Sequence, residues 1–437
     1  MTALVLFTRD LRVHDNPALA SAAQEHHEVV PLFVFDKQIL ASRFAAPNRL
    51  AFLLDTLADL RNSLRKRGGD LVVRHGDVVE ETLRVARQCG ASEIVMATDV
   101  SRYAQQRERR LARAVADANI ALRPTPGITV VDPGALAPAG GDHYRIFTPY
   151  WRAWRTASWR VVVRAPHRLV LPAGLQPGRL PEHADLVRDA CSPALPPGGE
   201  TAARRLLDRV VRRIGAVEPD LDDLAGDQTT RLSPYLHFGC VSPLVIANRL
   251  RERAPAVVRQ LAWRDFLHQV TAAFPDITRD DYRPRRRRWR TDGHAFDAWA
   301  TGRTGIPIVD AGMRQLLAEG WMHNRTRLIT ASFLTKTLRV DWRQGADHFF
   351  RWLVDGDIAN NAGNWQWVAG TGNDTRPNRV LNPLRQARRF DPAGDYVRRY
   401  VPELTDIDGP AVHEPWRLAT HPPGYPPPLV DIGSRHG

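Results

Sequence analysis

The sequence predicts an α/β amino-terminal domain on a doubly wound parallel sheet, followed by a larger all-helical domain. Three observations carry that prediction. Short apolar, β-branched runs alternate with amphipathic stretches through the first third of the chain. After Thr201 the strand signal disappears and apolar residues recur at helical spacing almost to the end. Between the two lies a stretch rich in Pro, Gly and Arg. Parallel strands read as continuous apolar runs because helices cover both faces of their sheet. The 437 residues divide on this basis into an α/β domain at 1–130, a connector at 131–198 and a helical domain at 199–437.

The predicted strands fall at 3–7, 29–35, 70–74, 93–97 and 121–124. The clearest intervening helix spans 47–66, where Leu50, Leu53, Leu54, Leu57 and Leu60 recur at spacings of three and four before the stop at Gly68 and Gly69. No GxGxxG follows the first strand, so a nicotinamide oxidoreductase lacks its fingerprint here. A ligand of such a sheet sits at the carboxyl ends of the strands. The connector carries a Trp-dense piece at 150–159. Helical periodicity then marks 243–253, 257–273 and 310–338, and the proline-clustered tail at 415–437 is expected to be an irregular surface segment.

Hydrophobic residues make up 43% of the chain and charged residues 25%, which excludes a disordered or fibrous protein. No apolar run reaches the length of a membrane helix, and no signal peptide is read at the start. Cys89, Cys191 and Cys240 are widely separated, which excludes a disulfide framework and a zinc knuckle and points to a reducing, cytoplasmic compartment. No metal site is expected. The formal net charge of +13 suits a polyanionic partner. It rests almost wholly on arginine, because lysine occurs only at Lys37, Lys66 and Lys336; a genomic bias toward arginine accounts for the same composition.

Chemistry-bearing constellations lie in the helical half. Thr229, Thr230, Arg231, Leu232 and Ser233 precede Pro234, so hydroxyls and free N–H groups meet at a helix start that suits a phosphate; a plain capped helix uses the same residues. Gln260 and Trp263 share a helical face with Leu267, pairing a hydrogen-bonding group with a ring that can stack a base; a core tryptophan is the structural alternative. Polar residues at 320–327 and 355–367 are embedded among aromatic ones, which a domain tolerates only when each is paired. Trp365 and Trp367, two apart, should serve different environments.

Together with the opening Phe7-Thr8-Arg9-Asp10-Leu11-Arg12, these motifs in this order resemble the photolyase/cryptochrome family over almost the whole chain, most closely the bacterial cyclobutane pyrimidine dimer photolyases. The resemblance implies a helical domain that holds FAD and repairs ultraviolet-damaged DNA, single- or double-stranded, by light-driven electron donation to a flipped cyclobutane dimer. Thr229 to Ser233 would bind the flavin's phosphates. Arg327, Asp355, Gly356 and Asp357 would hold its ribose and ring edge, and Asn361 would face the ring at N5. Trp365, Trp342 and Trp289 would pass electrons in from the surface. Gln260, Trp263, Asn324, Arg325, Trp367 and Gln386 would contact the lesion or its DNA. Arg49 and Asp99 resemble residues of an antenna pocket for a second chromophore, with an 8-hydroxy-5-deazaflavin favoured over a folate. A monomer is expected.

Three positions depart from the cyclobutane pattern. Gln260 stands where glutamate is usual and matches (6-4) photolyases, Leu328 replaces a common methionine, and Val217 and Glu218 occupy the region of a usual tyrosine. A (6-4) photolyase and a cryptochrome-like blue-light receptor are therefore the alternatives. Asn361 and Asn324-Arg325 favour cyclobutane repair within the resemblance.

Overall fold

The computed structural model describes residues 1–214 and 219–432, so Val217 and Glu218 lie outside the described residues. Strands β1 (Thr2–Phe7), β2 (Glu28–Asp36), β3 (Val72–Gly76), β4 (Ala91–Ala97) and β5 (Ala121–Thr125) form an all-parallel sheet in the order β3-β2-β1-β4-β5. The β1–β2 register pairs Leu4 with Val30 and Leu6 with Leu32. Alternation explains the unbroken apolar runs. Ala3, Val5 and Phe7 enter one core, and Leu4 and Leu6 enter a second core on the other face. The chain order reverses between β1 and β4, and loops with Arg9 and Asp99 leave the carboxyl ends of those two strands.

The first core does not stop at the domain boundary. It runs from the sheet through Phe147, Tyr150 and Trp154 to Leu261, Phe266 and Val270. The connector thus contributes a packed helix, Phe147–Thr156, to the junction. Asp265 fastens it there: its Oδ2 accepts from Val130 N and Val131 N, each at 3.0 Å, and from Trp154 Nε1 at 2.9 Å.

Two expectations need correction. The periodicity over 310–338 belongs to three pieces, Pro307–Glu319, Asn324–Ser332 and a π-helical turn Phe333–Thr337. Gly320, at φ +61°, ends the first piece, and His323 caps the second. Nor is the tail wholly superficial. Tyr425 is buried and donates to Asp310 Oδ2 at 2.7 Å, and Leu429 N donates to Thr304 O at 2.8 Å. Among the described residues no helix is long and apolar enough to cross a membrane.

Candidate active site

Residues of the Ser233–His237, Pro255–Ala273, Asn324–Ser332 and Ile358–Ala369 helices wall a cavity of about 420 Å³. An annex of about 60 Å³ shares Asn324, Arg327, Asp355 and Asn360 with it and adds Asn361 and Trp365. The main volume lies within the range of about 300–1,000 Å³ usual for cofactor pockets. Gly363 permits the close packing behind it, since a Cβ there would stand 2.5 Å from Leu267 Cδ2.

Thr229, Thr230, Arg231, Leu232 and Ser233 line one end of the cavity. Arg231 holds a left-handed backbone at φ +51°, costly for a non-glycine residue unless its side chain is fixed. Here it is fixed: Nε donates to Asp227 Oδ2 and Nη1 to Glu319 Oε2, both at 2.5 Å, and Trp321 stacks 4.2 Å from its guanidinium. Trp321 Nε1 in turn donates to Ser233 Oγ at 3.0 Å. Pro234 opens the short helix that follows.

At the other end Arg327 Nη2 donates to Asp355 Oδ2 at 2.8 Å, while Asp355 Oδ1 is buried without a partner. His237 Nδ1, also on the cavity, is buried and unpartnered; burial and then Arg9 push its pKa well below the ordinary value, so the ring is neutral. Unpaired buried polar atoms cost free energy unless a ligand completes them. A dinucleotide with hydroxyls, ring nitrogens and phosphates fits such a lining. Asp357 is different, because protein already satisfies it. Its Oδ1 accepts from Asn360 N at 2.8 Å and Nδ2 at 2.7 Å, capping the Ile358–Ala369 helix, and its Oδ2 pairs with Arg9. Burial works to raise the Asp357 carboxyl, yet His268, Arg9 and Arg264 together hold it well below the usual range. His268 itself is pushed down to about 4 by burial, so the two arginines carry that effect at neutral pH.

Gln260, Trp263, Asn324 and Trp367 also border the cavity, with Gln260 and Asn324 exposed. Trp263 stacks on Phe147 at 3.6 Å between ring centres, 9° from parallel. Trp365 is buried while Trp367 is half-buried, so the two do face different surroundings. Asn361 faces the annex, with Nδ2 donating to Ala346 O at 3.0 Å. Asn360 and Asn364 were not singled out in the sequence, yet both line the cavity with Trp367. The spacing of four and then three was the available signal. Trp342 is fully buried with Nε1 on Asp281 Oδ1 at 3.0 Å, and Trp289 is half-buried against the same core.

Other expected residues do not meet the cavity. Gly356 packs against Arg49: a Cβ on it would stand 2.8 Å from Arg49 Nη1. Protein groups already engage Arg49. Its guanidinium donates to the carbonyls of Phe44 at 3.1 Å, Arg43 at 3.2 Å, Leu353 at 2.8 Å and Phe350, and stacks on the Phe350 ring. Asp99 pairs with Arg9 at 3.2 Å, and Arg9 reaches across to Asp357 and to His237 O at 3.1 Å. These contacts join the domains. Arg325 is paired with Asp222 at 2.6 Å and stacked on Phe390, and the half-buried Gln386 lies away from the cavity.

Comparison with known proteins agrees with this arrangement. Residues 3–168 match the DNA photolyase family model, and residues 257–436 match the FAD binding domain of DNA photolyase. A deoxyribodipyrimidine photo-lyase of Streptomyces griseus is 52% identical over 98% of this chain and 96% of its own. The crystal structure of a bacterial class III photolyase from Agrobacterium tumefaciens superposes with a TM-score of 0.91 at 32% identity, covering 98% of this chain and 94% of that one. An archaeal photolyase from Sulfolobus tokodaii, solved with two FAD molecules, gives 0.88 at 29% identity, covering 99% and 97%. With that sheet, that cavity and a relative this similar over nearly its full length, the chain belongs to the photolyase/cryptochrome family.

Proposed function

We propose that this protein is a deoxyribodipyrimidine photo-lyase that binds FAD in the 420 Å³ cavity and splits cyclobutane pyrimidine dimers in DNA under blue or near-ultraviolet light. The observation that carries the reading is the junction of two surfaces in one cavity. Unpaired polar atoms of Asp355 and His237 lie within it, and Gln260, Trp263 and Trp367 stand at its border. FAD, when bound and reduced, supplies the light absorption and the electron for the lesion. The protein supplies position. Thr230 and Ser233 offer hydroxyls to the phosphates beside Thr229, whose own hydroxyl is donated to Asp227 Oδ1 at 2.5 Å, and Arg231 is held too tightly by Asp227 and Glu319 to swing with the ligand. Asp355 presents Oδ1 to a donor of the cofactor, with Arg327 fixing its other oxygen. Trp263 and Trp367 border the space for a base taken out of the stack, and Gln260 offers an amide to its edge. The exposed Arg285, Arg286 and Arg288 suit the phosphates flanking the lesion.

A second chromophore, expected at Arg49 and Asp99, is proposed in the α/β domain; those two side chains already have protein partners, and Arg107 nearby offers a further donor. Arg107, 7% exposed and beyond the carboxyl end of β4, makes no hydrogen bond through Nε or Nη2 and has only the Glu108 carboxylate 3.5 Å from Nη2, so an 8-hydroxy-5-deazaflavin there would give Nε an acceptor. Free cysteines throughout the described residues suit a cytoplasmic protein, and we take it to act as a monomer. The test is illumination of the reduced, FAD-loaded protein with oligonucleotides carrying one cyclobutane dimer or one (6-4) lesion, with dark controls. Light-dependent restoration of the cyclobutane lesion is expected. Restoration of the (6-4) lesion alone would reassign the substrate, and failure on both would make the protein a photoreceptor.

A further inference from the structure

The Trp-dense connector has no part in the reaction proposed above, yet its Phe147 stacks on Trp263 at the cavity's border. From Trp263 the rings continue to Phe147 at 3.6 Å, to Trp151 at 6.5 Å and 15°, to Trp154 at 5.5 Å and to Trp159 at 5.0 Å. Phe147, Trp151 and Trp154 lie on one helix at spacings of four and three, so the helix itself holds the rings in line. Trp151 is half-buried and Trp154 fully buried. Electron tunnelling falls steeply with the gap between π systems, and indole is among the most easily oxidised side chains; a stacked phenyl ring shortens the gap between two indoles.

The environment of Trp154 adds a second feature. An indole that loses an electron becomes strongly acidic at its N–H. Trp154 Nε1 donates to Asp265 Oδ2 at 2.9 Å, and Asp265 Oδ1 is buried without a hydrogen-bond partner. Burial raises that carboxyl to about 6, which makes it a competent proton acceptor. Trp159, the outermost ring, has the Arg251 guanidinium 4.9 Å from its centre, which disfavours positive charge on it. The hole is therefore best held at Trp154.

We propose that Trp263, Phe147, Trp151 and Trp154 form a second electron-entry route into the cavity, separate from the series Trp365, Trp342 and Trp289. The proposal rests on the reading that FAD occupies the cavity. Trp263 gives one electron to the light-excited, oxidised flavin and is refilled from Trp154 by way of Trp151 and the Phe147 bridge. Trp154 loses one electron, its Nε1 proton passes to Asp265, and a neutral indole radical faces a carboxylic acid. An exogenous thiol returns the electron and leaves as a thiyl radical, its own proton going to solvent, while Asp265 returns the proton to Nε1, so that bound flavin would be left one electron richer.

The test uses the protein loaded with oxidised FAD, flashed with blue light without DNA, with tryptophanyl radicals followed by transient absorption and electron paramagnetic resonance. Trp365→Phe should lower the radical yield yet leave a residual signal with the spectrum of a neutral radical. Adding Trp154→Phe, or separately Phe147→Leu, should take that signal to the dark background while flavin content and circular dichroism stay unchanged. Residual signal equal in the single and double variants overturns the route, as does its complete loss in Trp365→Phe alone. A parent yield in Trp365→Phe refutes the role given to Trp365 and leaves the second route to the double variants. No radical in the FAD-loaded parent refutes both routes. A residual radical that stays cationic overturns the step to Asp265.

Discussion

The domain junction and the cavity meet at Asp355 and Asp357 and treat polar groups in opposite ways. At the junction Arg49 has four carbonyl partners, and Arg9 joins Asp99, Asp357 and His237 O. In the cavity Asp355 and His237 each keep one buried atom without a partner. Asp355 and Asp357, two residues apart, fall on either side of this line. Saturated buried groups hold a fold, whereas unsaturated ones on a cavity can be completed by a ligand; Asp265 Oδ1 and His268 Nε2, without hydrogen-bond partners at the junction, line no part of that cavity. Motif membership does not separate the two kinds, because both belong to the same signature.

If that distinction is right, Arg49→Ala should show the largest stability loss and no specific flavin defect. Four main-chain carbonyls lose a charged donor and the Phe350 ring loses its cover. We expect a cost of about 3–5 kcal/mol by urea unfolding. Flavin affinity of the folded fraction, measured at low temperature, should stay near the parent's. A large affinity loss without a stability loss would break the comparison.

Asp355→Asn is the converse. The amide keeps the size and shape of the carboxyl but removes the charge that meets Arg327 and the ligand. FAD affinity should fall by about 1.5–3 kcal/mol, the worth of a charged hydrogen bond, or roughly ten- to a hundredfold in Kd by flavin fluorescence titration. Unfolding of the flavin-free protein should lose only the charged contact of Arg327 with Oδ2, about 1–3 kcal/mol and less than Arg49→Ala, since Oδ1 has no protein partner to lose.

Acid sharpens the comparison at the junction. His268 is fully buried, with Nδ1 on Arg264 O at 2.8 Å and Nε2 3.6 Å from Asp357. Burial lowers its pKa from 6.5 to about 4. Below 6.5 the unfolded chain takes up a proton that the folded chain refuses until about 4, so stability is complete above that window and lost as pH falls through it. His268→Gln removes this one proton. Its unfolding free energy should depend less steeply on pH by about 1.4 kcal/mol per unit across the window, and an unchanged slope would show that His268 titrates normally.

Much of this was legible beforehand, for a physical reason. The strands were visible because both faces of the sheet are buried, so nothing polar interrupts Ala3–Phe7 or its neighbours. The cavity's phosphate end was visible because Thr229 to Ser233 precede a proline-started helix. The Arg49–Gly356 contact was not, since no local pattern reports a meeting of residues so far apart in sequence. Gly320 escaped because apolar residues keep helical spacing on both sides of it. The packing of the Phe147–Thr156 helix escaped because Pro, Gly and Arg dominate the connector around it.

The smallest effect concerns the tail, expected on the surface and found partly inside. Asp310 is a saturated carboxylate of the junction type: Thr304 N and Oγ1 reach Oδ1 at 2.7 Å, and Gly305 N at 3.0 Å and Tyr425 Oη at 2.7 Å reach Oδ2. Burial still raises it to about 6, so its donors do not fully offset the loss of water. Tyr425→Phe removes one donor of four and leaves the ring in place. A loss of about 1 kcal/mol is expected, the net value of one hydrogen bond. Removal of the donor also raises the Asp310 pKa further, so the cost should grow as pH rises from 5 to 8 and shrink in acid, where the carboxyl is protonated in both proteins. No measurable cost at any pH would mean that Tyr425 holds the tail by packing alone, and that its hydroxyl contributes nothing to the charge it touches.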